Sequence, residues 1–457
     1  MDSSLKFLFV PFIISGILFA TNPVGGDTTL TILEDSTLTF AGNDFPFSDV
    51  DGHTFSGIQI VSGESNGDLE FNGIDVISGQ IINNVTQLTF TPFSNDNGSN
   101  YATFSHRVID SGGDTSDVSS PYTITFDVTP VNDVPSFTVG SDESISEDGG
   151  LQTVTGWATG ISTGPSDESS QTLTFNISGV NGSLFALEPS VSSSGELTYT
   201  PADDAHGSDT ITVTLSDNGG TANGGVDTSV PQTFTITISP VADTPSITDA
   251  TTLEDTQSLT GLVISRNAVD GEEVTHFKVT DITNGSLYQN DGTIQISDGD
   301  FITYTEGNAG LKFSPSGDFN GTASFKLQAS LSSADGGLGG AEVTASIAVT
   351  AVNDAPIASG SSTLSAISED NTTSLGNTVD ELFEGNFNDS ADEVENGSSA
   401  DTLAGITIKG DSSTSDEGEW QYSTDSGNSW SDLPDVTTGN AFVLSEVSLL
   451  RFNPASD

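Results

Sequence analysis

The chain contains no cysteine, which removes structural disulfides, Cys-ligated zinc and thiol nucleophiles at once. Basic residues are almost as scarce. Lys and Arg number 8 against 65 Asp and Glu, for a formal net charge of -57. So little positive charge leaves no patch to neutralise nucleic-acid phosphates and none to grip anionic lipid. The 4 histidines, His53, His106, His206 and His276, are scattered singly and form no zinc-type spacing. Long helical periodicity is nearly missing as well. What the excess of acid favours is a bound cation, a very soluble surface, or both.

A strongly acidic chain can also be disordered, but the patterning here opposes that. Apolar residues alternate with Thr and Ser in short runs, as strands with one buried face require. "TFTITIS" places Phe234, Ile236 and Ile238 on one side of a strand. Ile211, Val213 and Leu215 follow the same rule, as do Leu173, Phe175 and Ile177. Clusters of Gly, Asn and Asp between the runs supply the turns. The expected fold class is all-β.

The only long apolar run is Leu5 to Ala20, whose single charge is Lys6 near its start. At 16 residues, interrupted by Pro11, it is short for a membrane span. It reads as a secretory leader, cleavable after Ala20, with a retained anchor as the alternative.

Three markers recur in a fixed order after that segment. The first is Pro130-Val131-Asn132-Asp133-Val134-Pro135, Pro240-Val241-Ala242-Asp243-Thr244-Pro245 and Ala351-Val352-Asn353-Asp354-Ala355-Pro356, whose closing prolines lie 110 and 111 residues apart. The second is the Glu-Asp pair at Glu34-Asp35, Glu147-Asp148, Glu254-Asp255 and Glu369-Asp370. The third is Leu-x-aromatic-x-Pro, ending at Pro92, Pro201, Pro315 and Pro454. A repeat of roughly 110 residues suits a seven-stranded sandwich with its own core. The expected division is a leader or anchor over 1–24, then repeats over 25–131, 132–241, 242–352 and 353–457. Proline removes a ladder donor and fixes φ, so the first marker reads as a short stiff linker that sets successive sandwiches in a linear rod. In the first three repeats the third marker precedes the linker proline by 43, 44 and 41 residues, whereas three residues follow Pro454. The last repeat is therefore expected to be incomplete, with its final strands outside this sequence.

These residues carry a resemblance. The units look like the cadherin-like tandem repeats of large bacterial surface proteins and adhesins, over nearly the whole chain after the leader. In cadherin modules, calcium sits between successive sandwiches. The resemblance implies Ca2+ ligands position by position. Glu34, Glu147, Glu254 and Glu369 take the first-strand acidic place, followed by Asp148, Asp255 and Asp370 in the same pairs. Asp49 and Asp51 match an Asp-x-Asp, Asp270 keeps part of it, and Asp167 with Glu168 replaces it in the second repeat. Asp110, Asp217 and Asp335 match a later turn Asp. Asn132-Asp133, Asp243 and Asn353-Asp354 match the linker. The linker departs from the family: its leading Asp is Pro130, Pro240 or Ala351, its second Asn is Val134, Thr244 or Ala355, and the family's mid-domain Asp-Arg-Glu has no counterpart. One or two ions per junction are implied rather than three. Calcium's demand for six to eight oxygens fits such a set independently. Solvated turn acids are the competing reading.

Catalytic signals are weak. Gly-x-Ser-x-Gly occurs at Gly63 and Gly160, but neither is followed by the helix that a nucleophile elbow needs. "STDSGNSW", Ser423 to Trp430, resembles an Asp-box, a structural hairpin turn. Trp420 and Tyr422 share a side of their strand, as a core pair or as a sugar-stacking platform. The chain is thus expected to be a non-enzymatic, extracellular, calcium-binding adhesion or stalk segment. Its expected partners are calcium, like repeats of neighbouring molecules and surface glycans, with no nucleic acid and membrane only through the N-terminal segment. The alternatives are spacer or sugar-binding repeats of a secreted polysaccharide-active enzyme, and a calcium-independent structural surface protein.

Overall fold

A computed structural model describes residues 21–116, 121–392 and 400–456. The expected leader lies outside the described residues except for Thr21 to Val24. Those four residues are tied to the first sandwich: Val24 bridges Ser48, and the Thr21 amide and hydroxyl donate to Asp51 Oδ2. The chain divides into two compact units at Ser239/Pro240.

In the first repeat, eight strands form two facing sheets. They are β1 (Thr28–Leu33), β2 (Leu38–Thr39), β3 (Phe55–Ser62), β4 (Asp68–Phe71), β5 (Ile81–Ile82), β6 (Leu88–Thr91), β7 (Gly98–Asp110) and β8 (Tyr122–Thr129). One sheet runs β1-β8-β7-β3-β5 and the other β2-β6-β4. Period-2 patterning drives this arrangement, because alternate residues of a strand point to opposite faces. Leu88 and Phe90 of the third marker point inward and are fully buried, with the Phe90 ring stacked 3.7 Å from Phe126 of the opposite sheet.

The second repeat keeps this plan. Glu143–Ser146, Gln232–Ser239, Gly207–Ser216 and Thr174–Ser178 form one sheet, and Gln152–Val154, Leu197–Pro201 and Phe185–Val191 the other. The third repeat builds its larger sheet on Ala250–Leu253, Leu338–Thr350 and Gly321–Ser330. Each of these three repeats encloses its own apolar core. The fourth has a small one, with Val379, Leu444 and Leu450 buried and Trp420 and Tyr422 packed against them. Leu364 to Ile367, which corresponds to the first strand, is not paired in a ladder among the described residues.

One pairing positions the acids. In three repeats the first strand runs parallel to the last: Thr28–Leu33 beside Ile124–Thr129, Glu143–Ser146 beside Ile236–Ser239, and Ala250–Leu253 beside Ile347–Thr350. Parallel first and last strands make the chain enter each sandwich at one pole and leave at the other. The residue just after the first strand therefore lies beside the outgoing linker. Glu34, Glu147 and Glu254 occupy that place, donating their amides to Thr129, Ser239 and Thr350.

Candidate functional site

The first-strand glutamates are buried, at 3 % exposure for Glu34, 5 % for Glu147 and 2 % for Glu254. Burying a carboxylate requires hydrogen-bonded compensation. Glu34 Oε1 accepts the Val131 amide at 2.5 Å, and Glu254 Oε1 accepts the Val352 amide at 2.5 Å. Val131 and Val352 are thus clasped by the glutamate of the repeat they leave. Glu147 lies 3.4 Å from His206. The acid after each glutamate is exposed, and Asp35 and Asp255 sit at φ +55° and +57° in a tight turn. In the fourth repeat Glu369 and Asp370 are exposed, outside any strand.

The linker aspartate is held from the incoming repeat. The Asp133 amide donates to Glu168 Oε1 at 2.8 Å, the Asp243 amide to the Asp270 carboxylate at 3.1 Å, and the Asp354 amide to Asp392 Oδ1 at 3.1 Å. Thr21, two residues before Pro23, makes the same contact to Asp51 at 2.5 Å. Thr21-Asn22-Pro23 therefore occupies the place of a linker Asp-x-Pro. Asn132 and Asn353 fold their amides back onto the carbonyls of Asp133 and Asp354, and Asn132 also donates to Asp217 Oδ1 at 3.0 Å.

Two junctions gather carboxylates. Between the first and second repeats are Glu34, Asp35, Asp133, Asp167 and Glu168. Burial, followed by the charges of Asp35, Glu34 and Asp167, pushes the Asp133 carboxyl up. Burial does the same to Glu168, reinforced by Asp133 and Asp167 against the bond from the Asp133 amide. Between the third and fourth repeats, oxygens of Asp255, Asp318 and Asp354 lie within 4.8 Å of one another. Burial, then Asp255, Asp318, Asp392 and Asp389, pushes the Asp354 carboxyl up.

Among the described residues, Glu168 Oε2, Glu254 Oε2, Asp354 Oδ2 and Asp389 Oδ1 are buried atoms without a hydrogen-bond partner. Glu168, Glu254 and Asp389 are at least nine-tenths buried. Buried polar atoms left without partners are exceptional and call for an account. An all-oxygen set of carboxylates with spare lone pairs fits a hard divalent cation such as calcium.

A third group sits at the entry pole of the first repeat, where Asp49, His53 and Asp110 converge. His53 Nδ1 lies 3.1 Å from Asp110 Oδ2, and its amide donates to Asp49 Oδ1 at 3.0 Å. The bond to Asp110 pushes the His53 pKa up. Burial pushes Asp110 up, but the Asp114 amide, His53 and the Gly113 amide outweigh it and hold the carboxyl below its usual range.

Asp335 is taken up by an ion pair within its own repeat. It is 73 % exposed and pairs with Lys278 Nζ at 2.6 Å. The strand Gly321–Ser330 ends in fully buried Ser330, where β7 ends in buried Asp110, and Asp335 lies further along the turn. Three junction acids carry no marker in the sequence: Asp318, Asp389 and Asp392. A signal existed for Asp318, because Asn95, Asp204 and Asp318 each stand three residues after the third-marker proline, all at φ between +55° and +59°. Asn97 also went unmarked; its amide bridges Glu34 and Asp167 at 2.8 and 2.7 Å.

The other motifs fall into structural roles. Ser65 Oγ accepts the Thr103 amide, Ser162 Oγ bonds Gly164, and among the described residues neither is followed by an α-helix, only the three-residue turn Ser166–Glu168 coming after Gly164. Asp425 accepts from the Ser423 hydroxyl and from the Ser429 amide and hydroxyl, which lowers its pKa to about 2. Gly427 takes φ +86° in that turn, and the Arg451 guanidinium stacks 3.8 Å over Trp430. Among the described residues no helix is long and apolar enough to cross a membrane.

A family profile described as a bacterial Ig domain matches residues 129–237. No curated protein matches by sequence. Among solved structures, the chain is similar to mouse cadherin-23 EC22-24 at 12% identity, covering 72% of this chain and 99% of that one with a TM-score of 0.38. It is similar to protocadherin gamma B2 extracellular domains 3-6 at 17% identity, covering 73% and 74% with a TM-score of 0.35. The human desmocollin-1 ectodomain overlaps 94% of this chain and 74% of its own at 13% identity, with a TM-score of 0.29. Overlays of that depth do not themselves fix a fold; the strand pairing above does. With residues 129–237 matching a bacterial Ig domain and two facing sheets recurring along the sequence, the chain is a tandem array of all-β, Ig-like sandwich repeats.

Proposed function

We propose that the chain is a calcium-stiffened stalk segment of a bacterial surface adhesin, working outside the cell to project a distal binding module. Weak lateral contacts with like repeats would be its own adhesive contribution. The observation that carries the reading is the junction of the third and fourth repeats. There, Glu254, Asp354 and Asp389 keep buried carboxylate oxygens without partners beside the convergence of Asp255, Asp318 and Asp354. Calcium would supply the positive charge that lets these carboxylates stay together. Glu254, Asp255, Asp318 and Asp354 would hold it, with Asp389 and Asp392 behind them. At the first junction, Asp35, Asp133, Asp167 and Glu168 are the corresponding oxygens.

The work is mechanical and needs no catalytic group. The clasp of Val131 by Glu34 and of Val352 by Glu254 fixes each linker to the repeat it leaves. The bonds from the Asp133 and Asp354 amides fix it to the repeat it enters. A cation binding only the folded junction stabilises it by mass action, by about 2.7 kcal/mol at a hundred times Kd. Thermal unfolding of the full chain in millimolar calcium and in chelator tests the reading. The expected result is a calcium-dependent rise in Tm that Asp354→Ala reduces. Identical curves in calcium and chelator would remove the metal and leave a stalk stiffened by its proline linkers.

A further inference from the structure

We propose that the side-chain amide of Asn97 does at the first junction what a divalent cation is needed to do at the junction of the third and fourth repeats, so that the two linkers stiffen over different cation concentrations. This rests on the calcium reading above and adds a graded response to it.

The two junctions are built on the same plan and differ in which acids and donors meet there. At the first, Asn97 Nδ2 donates to Glu34 Oε2 at 2.8 Å and to Asp167 Oδ2 at 2.7 Å. A side-chain amide carries two N–H donors, enough for one carboxylate from each repeat. With the Val131 amide on Oε1, both oxygens of Glu34 are satisfied within the protein. The amide is neutral, yet it sets partial positive charge between two carboxylates that would otherwise repel.

At the other junction the equivalent residue is Asn320, which precedes Gly321 at the start of its strand as Asn97 precedes Gly98. Its Nδ2 is buried without a partner among the described residues, and so is Glu254 Oε2. The short turn that presents Asp167 and Glu168 is Ser166–Glu168; its counterpart in the fourth repeat is Ser390–Asp392. Glu168 and Asp392 share a role, accepting the linker aspartate amide. Ala391 therefore stands where Asp167 stood, and Asn320 has no carboxylate across the junction to bridge. A further difference adds charge. Asp318 replaces Asn95, and Asp255, Asp318 and Asp354 then come within 4.8 Å of one another. Asp389, 6 % exposed with Oδ1 unpartnered, acts on Asp354 as well. One junction has a side-chain amide bridging carboxylates of both repeats, with Glu168 Oε2 left over; the other has no such bridge among the described residues.

The test is hydrogen exchange of the full chain, titrated with calcium chloride from excess chelator upward. Peptides spanning 130–135 and 351–356 are read separately. Both linkers contain amides bonded to carboxylates, at Val131, Asp133, Val352 and Asp354, so protection reports the junction itself. In chelator, the 351–356 amides are expected to lose protection by about tenfold or more, while 130–135 changes by less than about twofold. Asn97→Asp exchanges the donor for a carboxylate of the same shape. It is expected to make 130–135 lose protection in chelator and regain it with calcium. Ala391→Asp, which gives Asn320 its missing partner, is expected to lower the calcium concentration at which 351–356 becomes protected. Both wild-type linkers responding at one concentration would overturn the inference while leaving the calcium reading intact. So would an N97D first linker that stays protected in chelator. Neither linker responding to calcium would overturn both.

Discussion

Lowering the pH from 7 to 4 is expected to loosen the first repeat through one side chain, His106. It lies in β7, fully buried, opposite Tyr122 and Ile60 in the ladders. The ring of Phe45 meets it edge-on at 5.1 Å, with Phe104 at 5.8 Å and Tyr122 at 6.2 Å. Among the described residues neither ring nitrogen has a hydrogen-bond partner. Desolvation therefore dominates and lowers its pKa from 6.5 to about 4, opposed only by the charge of Asp27. Between those values the unfolded chain binds a proton that the folded repeat does not, so stability falls as pH drops from 6.5 toward 4 and falls no further below. At 1.36 kcal/mol per unit the loss is about 3 kcal/mol, or a few hundredfold in the opening equilibrium. Hydrogen exchange in Gly98–Asp110, corrected for intrinsic rates, reads it locally. Half-buried Asp133 and buried Glu168 have raised pKa values and contribute with the opposite sign, gaining stability as pH falls through those values. His106→Leu separates the two, because it should remove the loss in β7 and leave the linker unchanged. Equal acid loss in wild-type and H106L would refute the reasoning. So would an NMR titration of His106 near 6.5 in the folded repeat.

Two further perturbations test the packing and the turn. Phe126→Ala removes a fully buried ring stacked on Phe90 across the two sheets; it should cost the first repeat about 3–5 kcal/mol, seen as loss of exchange protection in β6 to β8, with the second repeat unchanged. Asp425 is expected to stay ionised until about pH 2 by carboxyl NMR; the turn it organises is intact above its ordinary 3.8 and released as pH falls through 2. Asp425→Ala should free the hairpin between Gly418–Ser423 and Ser431–Asp432 at neutral pH and shift Trp430 emission to the red, and unchanged emission would count against that role.

The amino-acid sequence alone determined the all-β class, the period of the repeat and the first-strand glutamates. Those features follow from local rules. Alternation places Phe90, Tyr199 and Phe313 inside, proline closes each linker, and recurrence marks Glu34 and Glu254, which only the long-range parallel pairing of first and last strands then sets beside it. Which acids meet was decided only by the tertiary structure. Asp335 sits in a turn much like the others in composition, yet buried Ser330 ends its strand, and Asp335 turns to Lys278. Asp318, Asp389 and Asp392 lie on loops whose conformation no periodicity encodes, and they become neighbours of Asp354 only when two sandwiches abut. The contrast between Asn97 and Asn320 is of the same kind. The two residues are identical and identically placed before a glycine, and their roles part because a turn in the next repeat presents Asp167 in one case and Ala391 in the other.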